Sequence, residues 1–182
     1  MACTIYGIGK NATADGSTIV THTCDSTGDD SRLWIIPEME GGEGITRDIV
    51  MNGNLYGDWS DYPNTKDYGG GMVFGEMPQP ENTHQYLHGN YSIINDHGVA
   101  MGESTCWFTP QDEHTQKLDE LFNQNNNGII DCYQVQHIAL ERAETAREAV
   151  QIIAQQVEEY GWNTSAECIN ICDGNEVWIM EV

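Results

Sequence analysis

The stretch MACTIYGIGKNATADGSTIVTHTCD, residues 1–25, decides how the rest of the chain is read. From Cys3 to Gly9 it is short and rich in β-formers. Asp15-Gly16 supplies a turn, and Ser17 to Cys24 again carries Thr, Ile and Val, so the pattern predicts an N-terminal hairpin. Cys3 opens the first strand and His22-Thr23-Cys24-Asp25 closes the second, which brings a thiol near the chain start together with an imidazole and a carboxylate.

That juxtaposition has a specific chemical use. With Met1 and Ala2 removed, Cys3 carries a thiol and a free α-amine on one residue, and such an amine has an intrinsic pKa of about 8. One residue then supplies both nucleophile and base: the amine takes the thiol proton and later passes it to a leaving amine. Asp25 is placed to orient that amine, and His22 to hold the thiolate or the substrate carbonyl. Position alone fits equally well a Cys3 that is merely a small buried strand residue.

Outward from the hairpin, residues 26–90 are rich in Gly, Asp, Asn and Pro without a lasting period, which predicts long loops with short strands at Leu33–Ile36 and Gly71–Phe74. A second hairpin is expected from Tyr91–Asn95, the turn Asp96-His97-Gly98 and Val99–Thr105. Helices are expected over 114–122 and 129–143. A third is marked by a capping box, Thr145 with Glu148, by apolar residues at helical spacing from Ala146 to Tyr160, and by Gly161 as its stop. Glu167–Cys172, the turn 173–175 and Glu176–Val182 form a third hairpin, whose Val177-Trp178-Ile179-Met180 predicts a strand buried on both faces. A chain that stops on such a strand is expected to be one part of a longer polypeptide.

Composition narrows the function classes. The 182 residues carry 29 acidic and 7 basic side chains, a formal net charge of −22, which excludes the basic footprint needed for nucleic acid or an anionic membrane. One domain over 1–182 is the expectation, long enough to bury a core. No run approaches the roughly 20 apolar residues of a membrane helix, and the first ten residues lack the order of a secretory signal, so a cytoplasmic location is expected. Six scattered cysteines without a CxxC pair point to reduced thiols rather than a disulfide frame or a zinc site. Asn123–Gly128 imitates the start of a calcium loop, but the Asp and Glu that would charge it are Asn123 and Gln134, and a polar interhelical loop is the better reading. His84 and His88, near Glu81, fall in loop-like sequence that is read as solvated rather than metal-binding. No metal or other cofactor is expected.

The strings at residues 1–25 and GNYSIINDHGVAMGESTCW (89–107), with the C-terminal AETAREAVQIIAQQVEEYGWNTSAECINICDGNEVWIMEV, resemble in order the N-terminal half of the cysteine dipeptidases, the family that includes the secernins. These are N-terminal-nucleophile hydrolases related to penicillin V acylase. The resemblance implies an α+β fold, an αββα sandwich of two antiparallel sheets flanked by helices, with members considerably longer than this chain. It implies Cys3 as the nucleophile, exposed by processing, and Asp25 as the aspartate that binds its amine. His22 stands where many relatives carry Arg. Asn95 opens a segment ending at Thr105, a residue implied to help build the oxyanion hole; Glu103, in a Gly-Glu-Ser motif, is implied to bind a substrate ammonium group.

The expected function is therefore hydrolysis of dipeptides, with cleavage of N-acyl amides as the alternative within the class. From another class, the chain reads as an incomplete, non-catalytic homologue serving as a binding subunit, either self-associating or paired with a missing C-terminal part. An acidic calcium-binding protein is a distant third.

Overall fold

The computed structural model describes residues 3–25, 33–50, 73–89, 91–106, 111–124, 128–163 and 165–182. The N-terminal hairpin forms as its sequence predicts: β1 (Thr4–Ile8) and β2 (Ile19–Thr23) pair antiparallel from Thr4↔Thr23 to Ile8↔Ile19. Their connection is shaped by local polar groups, Ser17 N donating to Asp15 Oδ1 at 3.0 Å, and by Gly16 at φ +76°.

The remaining strands are β3 (Trp34–Ile36), β4 (Thr46–Val50), β5 (Val73–Pro78), β6 (Tyr86–His88), β7 (Ser92–Asn95), β8 (Ala100–Cys106), β9 (Ala166–Cys172) and β10 (Val177–Glu181). Six of them make an antiparallel sheet in the order β10-β9-β8-β7-β6-β3, while β4 and β5 pair separately as a ribbon. Among the described residues three α-helices accompany them, α1 (Glu113–Gln124), α2 (Cys132–Arg142) and α3 (Ala146–Tyr160).

Strand alternation sorts the layers. In β9, Ile169 and Ile171 are fully buried in the core shared with Ile138 of α2 and Ile153 of α3. Asn170, on the opposite face, donates through Nδ2 to Tyr6 O at 2.8 Å and Thr21 O at 3.0 Å, and so fastens the β1–β2 hairpin across the sheet. The two sheets approach closely at glycines: a Cβ on Gly102 of β8 would lie 2.7 Å from His22 Cβ, and one on Gly7 would lie 2.9 Å from Val177 Cγ1. The fold class is α+β, with two antiparallel sheets face to face and α2 and α3 packed on the outer face of the larger one, consistent with an N-terminal-nucleophile sandwich.

Local chemistry explains the helix ends. Thr145 caps α3 by accepting from Glu148 N while the Glu148 carboxylate accepts from Thr145 N, the reciprocal capping box its spacing predicts, and Gly161 ends the helix at φ +71°. The helix expected over 129–143 is shorter. Asp131 accepts from Gln134 N and sets the start at Cys132, because Ile129 and Ile130 are drawn into backbone bonds with Tyr160 and Gly161. The calcium-like loop includes residues 125–127, outside those described; its Gly128 packs so closely on Gly161 that a Cβ would meet backbone at 2.1 Å.

Two expectations need correction. The 26–90 region holds β4 and β6 beyond the strands foreseen, with β5 extending past Phe74; Gly71 and Met72 lie outside the described residues. β10 is an edge strand rather than one buried on both faces: Trp178 and Met180 pack on the core, but Ile179 stays 61 % exposed. Among the described residues, no helix is long and apolar enough to cross a membrane.

Candidate active site

Cys3 sits one residue before the first pair of the β1–β2 ladder, and the sheet beneath holds its backbone: Ser104 Oγ donates to Cys3 O at 3.1 Å. Thr4 N donates to Thr23 Oγ1 at 3.1 Å and closes the hairpin end. The consequence is a cluster in which Cys3 Sγ, one His22 ring nitrogen and Cys24 Sγ all lie within 4.8 Å of one another. Cys3 is half-buried and Cys24 exposed, and neither is in a disulfide. Two thiols and an imidazole are also a donor set suited to a soft divalent metal.

His22 passes over Gly102, where the missing side chain leaves it room, and reaches Glu103, with Nε2 3.2 Å from Oε1. Among the described residues, β7 and β8 pair at Ile94↔Ala100. Glu103 is fully buried. The imidazole also packs edge-on to Tyr91 with centroids 4.9 Å apart; Tyr91 in turn stacks on Tyr133 of α2 at 4.7 Å, and the two hydroxyls meet at 2.9 Å. Burial pushes both phenols well above their ordinary range, so they stay neutral donors.

Two carboxyls share this buried region with opposite protonation. Burial by itself would raise Glu103, but His22, Glu167 and Tyr91 outweigh it and hold the group below the usual carboxylate range. Burial, then the neighbouring Glu103, push Glu167 up to about 9. Near neutrality Glu167 is thus a carboxylic acid beside a carboxylate. A cavity of about 400 Å³ opens beside the cluster, lined by His22, Cys24, Leu33, Tyr91 and Met101 among others.

Of the expected site residues, the structure brings Cys3, His22 and Glu103 together. Glu103, expected to meet a substrate ammonium, has no exposed surface and faces His22 and Glu167. Thr105 pairs with Glu167 across the β8–β9 ladder and hydrogen-bonds its carboxyl. Asp25 is exposed just past the end of β2. Asn95 stands apart: its Nδ2 donates to Leu140 O and Ala143 O at 2.9 and 2.7 Å, and its Oδ1 accepts from His97 N and Val99 N, so its side chain is spent on protein backbone. Tyr91, Tyr133, Glu167 and Asn170 were not foreseen. Asn170 alone carried a signal, a polar residue between Ile169 and Ile171 in an apolar strand.

Compared with known families, residues 2–182 match Peptidase family C69. The chain belongs to this family. Among curated proteins, the C69 chain is similar to a probable dipeptidase B of Streptococcus pyogenes serotype M3, 27 % identical over 192 residues covering 100 % of this chain and 33 % of the relative. A probable dipeptidase B of serotype M1 is 26 % identical with the same coverage. The chain thus spans about a third of the length of the curated relatives it matches. C69 membership makes this a peptidase-type sequence.

Proposed function

We propose that this C69 chain carries the nucleophile of a cysteine dipeptidase, with Cys3 as the attacking residue after removal of Met1 and Ala2. The observation that supports it best is the cluster of Cys3 Sγ and His22 within 4.8 Å, with His22 backed by the buried Glu103 carboxylate at 3.2 Å.

In the proposed reaction the Cys3 α-amine takes the thiol proton, and the thiolate sulfur bonds to the peptide carbonyl carbon. The resulting ammonium gives its proton to the leaving amine as the C–N bond breaks, which leaves a thioester. Water then attacks, the amine accepts its proton, and rupture of the C–S bond releases the carboxylic acid and restores the thiol. Asp25, at the end of the paired strand, orients the amine. His22 holds the thiolate or the developing oxyanion, and Glu103 acts through His22 rather than on the substrate. Thr105 is the proposed oxyanion-side residue on β8.

The cavity next to Cys24 and Tyr91 is the proposed substrate space. The test is turnover of a free dipeptide and of its N-acetylated form by the protein and by Cys3→Ala. Hydrolysis of the free dipeptide, abolished in the folded variant, is expected. Preference for the acetylated form assigns the chain to amide hydrolysis of the acylase type instead.

A further inference from the structure

At the other end of β7 from Tyr91, three segments converge. His84 precedes β6, His97 occupies the tight turn between β7 and β8, and Glu144 lies between α2 and α3. One nitrogen from each imidazole and one Glu144 carboxylate oxygen all lie within 4.8 Å of one another. The rings stand 4.0 Å apart, centroid to centroid, tilted by 50°. We propose that His84, His97 and Glu144 form a binding site for a divalent transition-metal ion of the zinc class, separate from the Cys3 cluster.

Donor chemistry selects the ion. Two imidazoles with one carboxylate suit zinc or nickel and leave a coordination position for water, whereas calcium and magnesium require an all-oxygen shell. Metal–ligand bonds of about 2.0–2.1 Å place tetrahedral donors about 3.4 Å apart, so the three groups close on an ion by small side-chain rotations. His84 is half-buried and the other two are exposed, which leaves them free to rotate.

The backbone that carries these side chains is already fixed, by groups that are not ligands. His84 N donates to Glu141 O at 2.8 Å, His97 N to Asn95 Oδ1 at 3.1 Å and Glu144 N to Glu148 Oε2 at 2.9 Å. Asn95 Nδ2 ties the His97 turn to the end of α2 through Leu140 O and Ala143 O, and Asp96 N donates to Gln85 O at 3.0 Å. Three elements distant in sequence are thereby locked in one arrangement, and an ion binding there need order only side-chain torsions. A chain of net charge −22 attracts a cation to this site.

The test is titration of chelator-stripped protein with Zn2+ by calorimetry and with Co2+ by absorption. One equivalent is expected at this site, with a Kd in the micromolar range or tighter and cobalt bands that lack thiolate charge transfer. His84→Ala and His97→Ala should weaken binding at least about tenfold, and so should Glu144→Gln, whose exposed side chain makes unfolding no explanation. His114→Ala in α1 and Cys24→Ser should leave that equivalent intact. Undiminished binding in His97→Ala and Glu144→Gln, a cobalt spectrum that arises wholly from thiolate and disappears in Cys24→Ser, or a Kd weaker than about a millimolar would each overturn the proposal.

Discussion

His22 on the N-terminal hairpin and Glu103 on the six-stranded sheet meet across the two layers with Nε2 and Oε1 3.2 Å apart, and the carboxylate has no exposed surface. Glu103→Gln removes the charge while keeping the shape. If Glu103 acts on Cys3 through His22, alkylation of Cys3 by iodoacetamide at neutral pH should slow by about tenfold. An unchanged rate and pH profile would make the pair purely structural.

Gly102→Ala places a Cβ 2.7 Å from His22 Cβ and 3.1 Å from Thr21 O, so the hairpin must shift outward from the sheet. Proteolysis within residues 9–18 should accelerate and Cys3 reactivity should fall, while the helix-side core, on the other face of the sheet, keeps its packing. Asn170→Leu, which loses the bonds to Tyr6 O and Thr21 O, should loosen the same hairpin.

Glu167 makes stability pH-dependent. Its folded-state pKa of about 9 lies above the ordinary value of 4.5, so between these values the folded chain binds a proton that the unfolded chain has lost. Stability from this group is complete below the unfolded value and falls as pH rises toward 9, by at most about 1.4 kcal/mol per pH unit. Glu167→Gln should flatten the melting temperature between pH 5 and about 9 relative to the parent. Parallel curves for the two proteins would show that Glu167 ionises normally.

Asn95→Ala removes four bonds from a buried side chain and leaves the Leu140 and Ala143 carbonyls without these donors. A loss of about 2–4 kcal/mol is expected by chemical denaturation. Asn95→Asp should also destabilise, since a carboxylate cannot donate to Leu140 O and Ala143 O.

Features written in local sequence were the legible ones. Asp15-Gly16 between two β-rich runs, the Thr145–Glu148 spacing and Gly161 each specify a backbone state within a few residues, and the structure shows the corresponding hairpin, capping box and helix stop. β6 has three residues and β4 pairs, among the described residues, with β5 alone, so both exist through pairing with segments distant in sequence, and no period announces them. Cys3 and His22 were readable together because one hairpin carries both. The contact between Glu103 and His22 was not legible, since nothing local tells that Gly102 admits His22 over the sheet. The opposite protonation of Glu103 and Glu167 likewise arises from contacts that the whole fold creates, burial raising Glu167 while His22, Glu167 and Tyr91 hold Glu103 down.

The central claim is that Cys3 becomes the N-terminal residue and attacks the peptide carbonyl. It is tested most directly by measuring dipeptide hydrolysis by the protein and by Cys3→Ala, with intact masses recorded on the same samples. Active protein should begin at Cys3, lighter by Met1 and Ala2, and the folded variant should lose turnover by at least about a thousandfold. Full activity in Cys3→Ala, or in protein that retains Ala2, would contradict the account.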